Sequence, residues 1–193
     1  MGGALHQATM VGQCAETDAA CAKRHPLAPI AIGATFHPEV ETDIAGTSMP
    51  NLRLESAAPT VIAVENGALV AKGPGASAVM ISTDDGSVVD FMHVWAAPVT
   101  AISLARRDGE RVAGTIGLAV GEDLALVPTL WSGTQRLAGD LAATWDITGD
   151  AKLSVLPDGA GDRRRLRARA PGTATVTVAI GDAKTQLQLE VVP

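Results

Sequence analysis

The sequence has no tyrosine, and phenylalanine and tryptophan together supply only 3% of its 193 residues. A core built mainly on aromatic rings is therefore excluded. Hydrophobic residues still reach 47%, most of them Ala, Val and Leu, so the expected core is one of small and branched side chains. Basic residues are in deficit: 15 Lys and Arg against 21 Asp and Glu give a net charge of −6. A general nucleic-acid binder carries a basic excess, and that class is set aside. No apolar run approaches the roughly 18 residues of a membrane-spanning helix. The opening "MGGALHQATMVGQ" lacks the basic and apolar regions of an intact signal peptide. That leaves a cytosolic protein or a mature chain whose signal is gone. The G-x-S-x-G, H-E-x-x-H and P-loop patterns are all missing. No catalytic residue and no cofactor is expected.

Cysteine occurs twice, as Cys14 and Cys21 in "CAETDAAC". The spacing allows a short disulfide-closed loop, which suits an oxidising compartment; two unrelated thiols are the alternative. A zinc finger is set aside because no second Cys pair exists. His6, His25, His37 and His93 are not spaced as ligand pairs, so no metal site is expected. His93 lies in an apolar strand and reads as a core or edge histidine. The start Met1-Gly2-Gly3 has the form of a bacterial lipoprotein start in which Met stands for the lipid-bearing Cys. Cys14 itself suits lipidation poorly, because Gln13 precedes it where a small residue is wanted.

What the chain does have is a succession of short alternating segments broken by turns. Residues 1–27 read as an irregular tail carrying the Cys pair. From Pro29 onward come "PIAIGATF", "NLRLES" with Leu52 and Leu54 on one face, and "TVIAVENGALVAKG". The Asn66-Gly67 pair within the last predicts a tight hairpin, since both turn residues must take positive φ. "ASAVMISTDDGSVVDFMHVW" reads as a second hairpin, and Pro98 marks a boundary. The same plan then returns. "EDLALVPTLW" places Leu124, Leu126 and Pro128 on one face, and "AATWDIT" does so for Trp145 and Ile147. "RLRARA" alternates strictly, and a last hairpin puts Leu187, Leu189 and Val191 inward. "GERVAGTIGLAVGEDLALV" looks helical, but its glycines and β-branched residues count against a helix. Many short strands with regular turn signals predict an all-β sandwich.

The repetition is explicit in "GPGASAVMI" and "APGTATVTV", whose Pro-Gly pairs are Pro74-Gly75 and Pro171-Gly172, an offset of 97. Ala31-Ile32-Gly33 likewise answers Ala119-Val120-Gly121 at an offset of 88. The second copy has longer loops. Two small sandwiches are expected, over residues 28–98 and 99–193.

The order of these segments resembles the bacterial immunoglobulin-like domain family, the modules of intimin- and invasin-type surface proteins. The second copy carries it in Gly121, Trp145, "LSVL", "LRARAPGTATVTV" and "LQLEV". The first carries Gly33, "TVIAVENGALVAKGPGASAVMI" and "VVDFMHV", with Leu54 where Trp is expected. The first copy also lacks an N-terminal strand unless residues before Pro29 supply one. The resemblance implies two tandem immunoglobulin-like β-sandwiches, an extracytoplasmic location, a structural or adhesive role and no catalytic residues.

Two charged stretches stand out. Arg163, Arg164, Arg165, Arg167 and Arg169 put five arginines into seven positions. Arg165, Arg167 and Arg169 should share one strand face, opposite Leu166, Ala168 and Ala170. Such a row suits a polyanion or an acidic partner, through bidentate hydrogen bonds, or is simply a solvated face that protects a sheet edge. In "HPEVETD", His37, Glu39, Glu41 and Asp43 would share a face if extended. With Asp84, Asp85 and Asp90 they offer carboxylates for a weak Ca²⁺ site, but no regular ligand loop is present. The acidic strand could also dock on the arginine strand of another copy. Trp131 and Trp145 read as core residues, and the scarcity of rings argues against a sugar platform. The expected function is that of a non-catalytic cell-envelope or surface protein, a spacer or subunit of a larger assembly, with a lipid anchor at the outer membrane as a further expectation. An adhesin-like module binding glycan or polyanion through the arginine strand is the alternative.

Overall fold

The computed structural model describes residues 4–11, 28–45, 51–158 and 162–193. Among these residues the chain is all-β, and it divides into two compact units. The first comprises Met1–Pro98 with Leu137–Gly139; the second comprises Val99–Arg136 with Asp140–Pro193.

The first unit contains β1 (Ala4–Val11), β2 (Ile30–Ala31), β3 (Thr35–Phe36), β4 (Glu39–Ala45), β5 (Leu52–Ser56), β6 (Ile62–Glu65), β7 (Ala68–Ala71), β8 (Gly75–Thr83) and β9 (Val88–Ala97). One sheet runs β2-β9-β8-β5 and the other β3-β7-β6, while β1 pairs with β4. The second unit contains β10 (Ala101–Arg106), β11 (Arg111–Val112), β12 (Thr115–Ala119), β13 (Asp123–Ser132), β14 (Gln135–Arg136), β15 (Thr144–Gly149), β16 (Lys152–Pro157), β17 (Arg164–Ala170), β18 (Gly172–Ile180) and β19 (Ala183–Val192). Its sheets run β11-β10-β13-β17-β16, with β14 on β13, and β12-β19-β18-β15.

Strand for strand the two units share one plan. β12 lies parallel to β19 as β2 lies parallel to β9. β10 pairs antiparallel with β13 as β1 does with β4, so β3 and β4 together stand where the single long β13 stands. A first strand beside the second, the fifth and the fourth, facing a sheet of the third, sixth and seventh, is the immunoglobulin arrangement. The chain is two tandem immunoglobulin-like β-sandwiches. The first strand of the first sandwich comes from residues 4–11, a segment expected to be irregular; its partner strand, more than 25 positions later in the chain, supplies the ladder that its own weak periodicity does not announce. The Cys14–Cys21 pairing lies outside the described residues.

Alternation builds both cores. In β19, Leu187, Leu189 and Val191 are buried and their neighbours are exposed. In β17, Leu166 and Ala168 are wholly buried between exposed arginines. With Leu104, Leu118, Leu124, Leu126, Val176 and Val178 they form one cluster, against which Trp145 and Ile147 pack. In the first unit Ile30, Phe36, Ile62, Leu69, Val79, Ile81 and Val94 are buried. Each such aliphatic side chain contributes about 1.5–3 kcal/mol on leaving water. Leu137–Gly139 adds to this unit: Ala138 donates its N–H to the Pro29 carbonyl at 2.8 Å and accepts from the Ala31 N–H at 3.0 Å.

The turns carry the repeat. Asn66 and Gly67 take φ of 52° and 77°, the tight hairpin between β6 and β7. Each Pro-Gly pair opens a sheet strand on a glycine at strongly positive φ, 129° at Gly75 and 139° at Gly172. An L side chain rarely adopts that backbone, which is why the same dipeptide is written twice.

Two carboxylates hold turns together. The Asp85 carboxylate accepts from the Thr83 hydroxyl at 2.5 Å and the Ser87 N–H at 3.1 Å. The Asp150 carboxylate accepts from the Thr173 N–H at 2.6 Å and the Thr173 hydroxyl at 3.2 Å. Hydrogen bonds from Thr83 and Ser87 hold Asp85, and those from Thr173 hold Asp150, below the usual carboxylate range. A folded value lower than the unfolded one gives stability that is complete above the unfolded pKa, about 4. That stability is lost as pH falls through the lowered value. An acid titration of the unfolding midpoint should fall below about pH 4, and Asp85→Asn with Asp150→Asn should flatten that fall. An unchanged profile in the double variant would remove these turns as its source.

Candidate functional site

Strand β17 sets out the arginines by its pleat. Arg165, Arg167 and Arg169 stand on the outer face of their sheet and are exposed. Arg165 lies opposite Ala125 of β13 and Leu156 of β16. Arg167 lies opposite Asp123, with Nε 3.8 Å from its carboxylate. Arg169 donates from Nε to Ser154 Oγ at 2.7 Å. Arg165 and Arg169 make no ion pair among the described residues. Successive guanidinium stems are about 6.6 Å apart along the strand, so the three form a cationic ridge. This ridge can take phosphate, sulfate or carboxylate groups of a repeating polyanion.

The other two arginines of the run do different things. Arg164 falls on the opposite side of the pleat and forms an ion pair with Asp162 at 2.7 Å. Asp162 also accepts from Trp145 Nε1 at 3.0 Å and from the Ala143 N–H at 2.9 Å. Arg164, Asp162 and Trp145 thus close the side of the second sandwich, and Arg164 is not part of the ridge. Arg163 is exposed just before β17, and its carbonyl accepts from Asp158 N–H and from Arg164.

Asp84, Asp85 and Asp90 do not gather, and the side chains of Glu39, Glu41 and Asp43 lie outside the described residues. Asp84 pairs with Arg53 at 3.1 Å and accepts from Asn51 at 2.9 Å. Asp85 serves its own turn, and Asp90 accepts from the Phe91 N–H. His37 is exposed between β3 and β4. Among the described residues no three His, Cys, Asp or Glu side chains are placed to hold a metal ion.

Where the second sandwich has Trp145, the first has Leu54. The registers make the equivalence explicit: Trp145 pairs with Val178, two residues past Val176, and Leu54 with Ile81, two residues past Val79. The smaller side chain leaves the sandwich edge open. A cleft of about 740 Å³ lies there, walled by Pro38, Leu52, Leu54 and Val64, with Asn51 and Arg53 at its polar side. Both polar side chains are already engaged with Asp84.

Strand β9 shows what a count of rings overlooks. Phe91, His93 and Trp95 follow one another on its outer face, while Val94 and Ala96 go to the core. Phe91 is 57% exposed and Trp95 46%. The Phe91 and His93 ring centroids are 5.7 Å apart with planes at 87°, and those of His93 and Trp95 are 6.2 Å apart at 45°. His93 is therefore not core: the β2 ladder reaches only Ala96 and Ala97, so β9 is paired on one side alone at His93, which stands at the sheet edge and faces outward between two aromatic rings. Trp131 and Trp145, by contrast, are half-buried and anchored, Trp131 by Nε1 to Ser103 Oγ at 2.8 Å. The signal for the aromatic row was present in "DFMHVW". Strict alternation sends one ring set inward or outward as a block, and the aliphatic Val94 and Ala96 already fill the inward side.

No protein-family model matches the sequence, and no curated protein matches it. Among solved structures the chain is similar to domains 4 and 5 of the S-layer protein SbsC, at 15% identity over 98% of this chain and 99% of that one, TM-score 0.37. It is similar to a chimeric titin Z1Z2 functionalized with a KLER exogenous peptide from decorin, at 14% identity over 99% and 97%, TM-score 0.42. Invasin, a bacterial integrin-binding protein, is similar at 15% identity over 100% of this chain and 42% of its own, TM-score 0.36. At these identities and scores the likeness is one of chain path only.

Proposed function

We propose that the chain is a non-catalytic module of the bacterial cell envelope or surface, a structural spacer or a subunit of a larger surface assembly. The observation that carries this reading is the tandem itself: one sandwich plan built twice in a single chain, each with its own core. The polar chemistry supports it. Asp85, Asp150 and Asp162 are committed to turns and to the edge of a sandwich, as suits a rigid module. An extracytoplasmic location, a lipid anchor at the N-terminus and a disulfide between Cys14 and Cys21 belong to the same reading.

A second reading, attachment of an anionic glycan or polyanion, is favoured by the ridge of Arg165, Arg167 and Arg169, two of which make no ion pair among the described residues. One experiment addresses both: crosslinking of the full chain in its own cells, followed by mass spectrometry. The spacer or subunit reading expects one dominant envelope protein at near-equal amount. Capture of cytosolic proteins alone would overturn it. Recovery of anionic polymer that weakens as salt screens the ridge, and that vanishes in the Arg165→Ser, Arg167→Ser, Arg169→Ser variant, would favour the second reading. Polymer retained by that variant would exclude the ridge.

A further inference from the structure

The outer face of β9 spends two of the chain's five Phe and Trp residues on solvent. Phe36 shows the alternative, buried to 5% exposure in the same unit. Leaving a large apolar side chain in water forfeits about 1.5–3 kcal/mol of burial, and no packing inside the sandwich recovers it.

The surroundings of the row are as specific as the rings. Across the ladder on β8, Ala76 stands opposite Trp95, Ala78 opposite His93 and Met80 opposite Phe91. The two alanines make a low floor beside the rings. At the Phe91 end of the row Met80 takes the place of an alanine, and beyond Met80 its partner on β5, Glu55, is exposed. The result is a shallow trough with an aromatic wall along one side and a low floor beside His93 and Trp95, and at its end Met80 lies between Phe91 and the Glu55 carboxylate. Two strand spacings separate them, about 10 Å. The wall from Phe91 to Trp95 runs about 13 Å along the strand.

We propose that this trough binds a neutral oligosaccharide or polysaccharide chain. A pyranose ring has an apolar C–H face and a rim of hydroxyls. The C–H face is attracted to the negative face of an aromatic ring, which Trp95 and Phe91 offer. The rim needs donors and acceptors at the margin, which His93 supplies in both senses and Glu55 as an acceptor. Glu55 makes no ion pair among the described residues and repels an acidic sugar, so the site is committed to uncharged hexoses. A protein occupant fits less well. Phe91, Trp95 and the exposed Val88 together offer roughly 300 Å² of apolar surface, whereas a stable interface needs about 800 Å² from each partner. This site is separate from the arginine ridge in residues, unit and ligand charge.

Affinity electrophoresis of the full chain through gels holding soluble glucan, mannan or galactan tests the proposal, with ultracentrifugation of the chain alone. Retardation by at least one of these neutral polymers is expected, unaffected by salt and retained in the Arg165→Ser, Arg167→Ser, Arg169→Ser variant. Trp95→Ala and Phe91→Ala should each weaken it about tenfold or more. Trp95→Phe should keep most of it. Both residues changed are exposed, and an unchanged unfolding midpoint certifies each variant. Passage through all three gels without retardation overturns the proposal. So does retardation that survives both alanine variants, or self-association of the chain that Trp95→Ala abolishes, which would make the face a contact between copies.

Discussion

Replacing Trp145 with Ala should lower the stability of the second sandwich by about 3 kcal/mol, the low end for loss of a large aromatic side chain from a core. For a domain of this size that is a fall of roughly 15 °C in its unfolding midpoint. Two losses combine. The indole leaves a hole against the core cluster, on which Ile147 and Leu153 also pack. Its Nε1 also abandons Asp162, which then keeps only the Ala143 N–H and Arg164. Trp145→Phe separates the two, keeping most of the packing and losing the hydrogen bond, at about 1 kcal/mol. Thermal unfolding of both variants by circular dichroism gives the comparison. A midpoint for Trp145→Ala within a degree or two of the parent would mean that the indole is not part of the core.

The Pro-Gly turns give the second large effect, and here the two copies should differ. Gly172→Ala should cost about 3 kcal/mol and Gly75→Ala about half of that, within the range for a non-glycine residue at a backbone position of this kind. Both glycines have φ in the region that L side chains avoid, 139° and 129°. Only one is crowded. A Cβ on Gly172 would stand 2.8 Å from the Ala151 nitrogen and from Asp150 Oδ1, whereas one on Gly75 would meet nothing nearer than the Val61 methyls at 3.8 Å. The contact with backbone cannot be relieved by turning a side chain, and relief on the other side would break the Asp150–Thr173 hydrogen bonds. Urea midpoints of the two variants measure the difference. Equal losses would show that the backbone conformation alone sets the cost.

What the sequence discloses is local, and what it conceals depends on partners far along the chain. The strict alternation of "RLRARA" places Leu166 and Ala168 inward and three arginines outward, as β17 shows. Asn66-Gly67 fixes its hairpin by backbone conformation, which two residues suffice to specify. Residues 4–11 are a different case. Their strand exists by pairing with 39–45, and nothing in "ALHQATMV" reports a partner so far away. Arg164 was indistinguishable from its neighbours by charge. Its diversion needs Asp162, which turns toward Trp145 from 17 residues further along the chain. The aromatic row is legible in the spacing of "DFMHVW" but obscured by composition, because so few rings argue against a sugar platform.

The most direct test of two sandwiches, each with its own core, is hydrogen exchange with mass spectrometry on the Trp145→Ala variant, warmed to just above its lowered midpoint. The expected result is rapid exchange across β12, β15, β18 and β19, with β5, β8 and β9 still as protected as in the parent. Loss of protection in both sets at the same temperature and rate would contradict it, and would make the chain a single cooperative core.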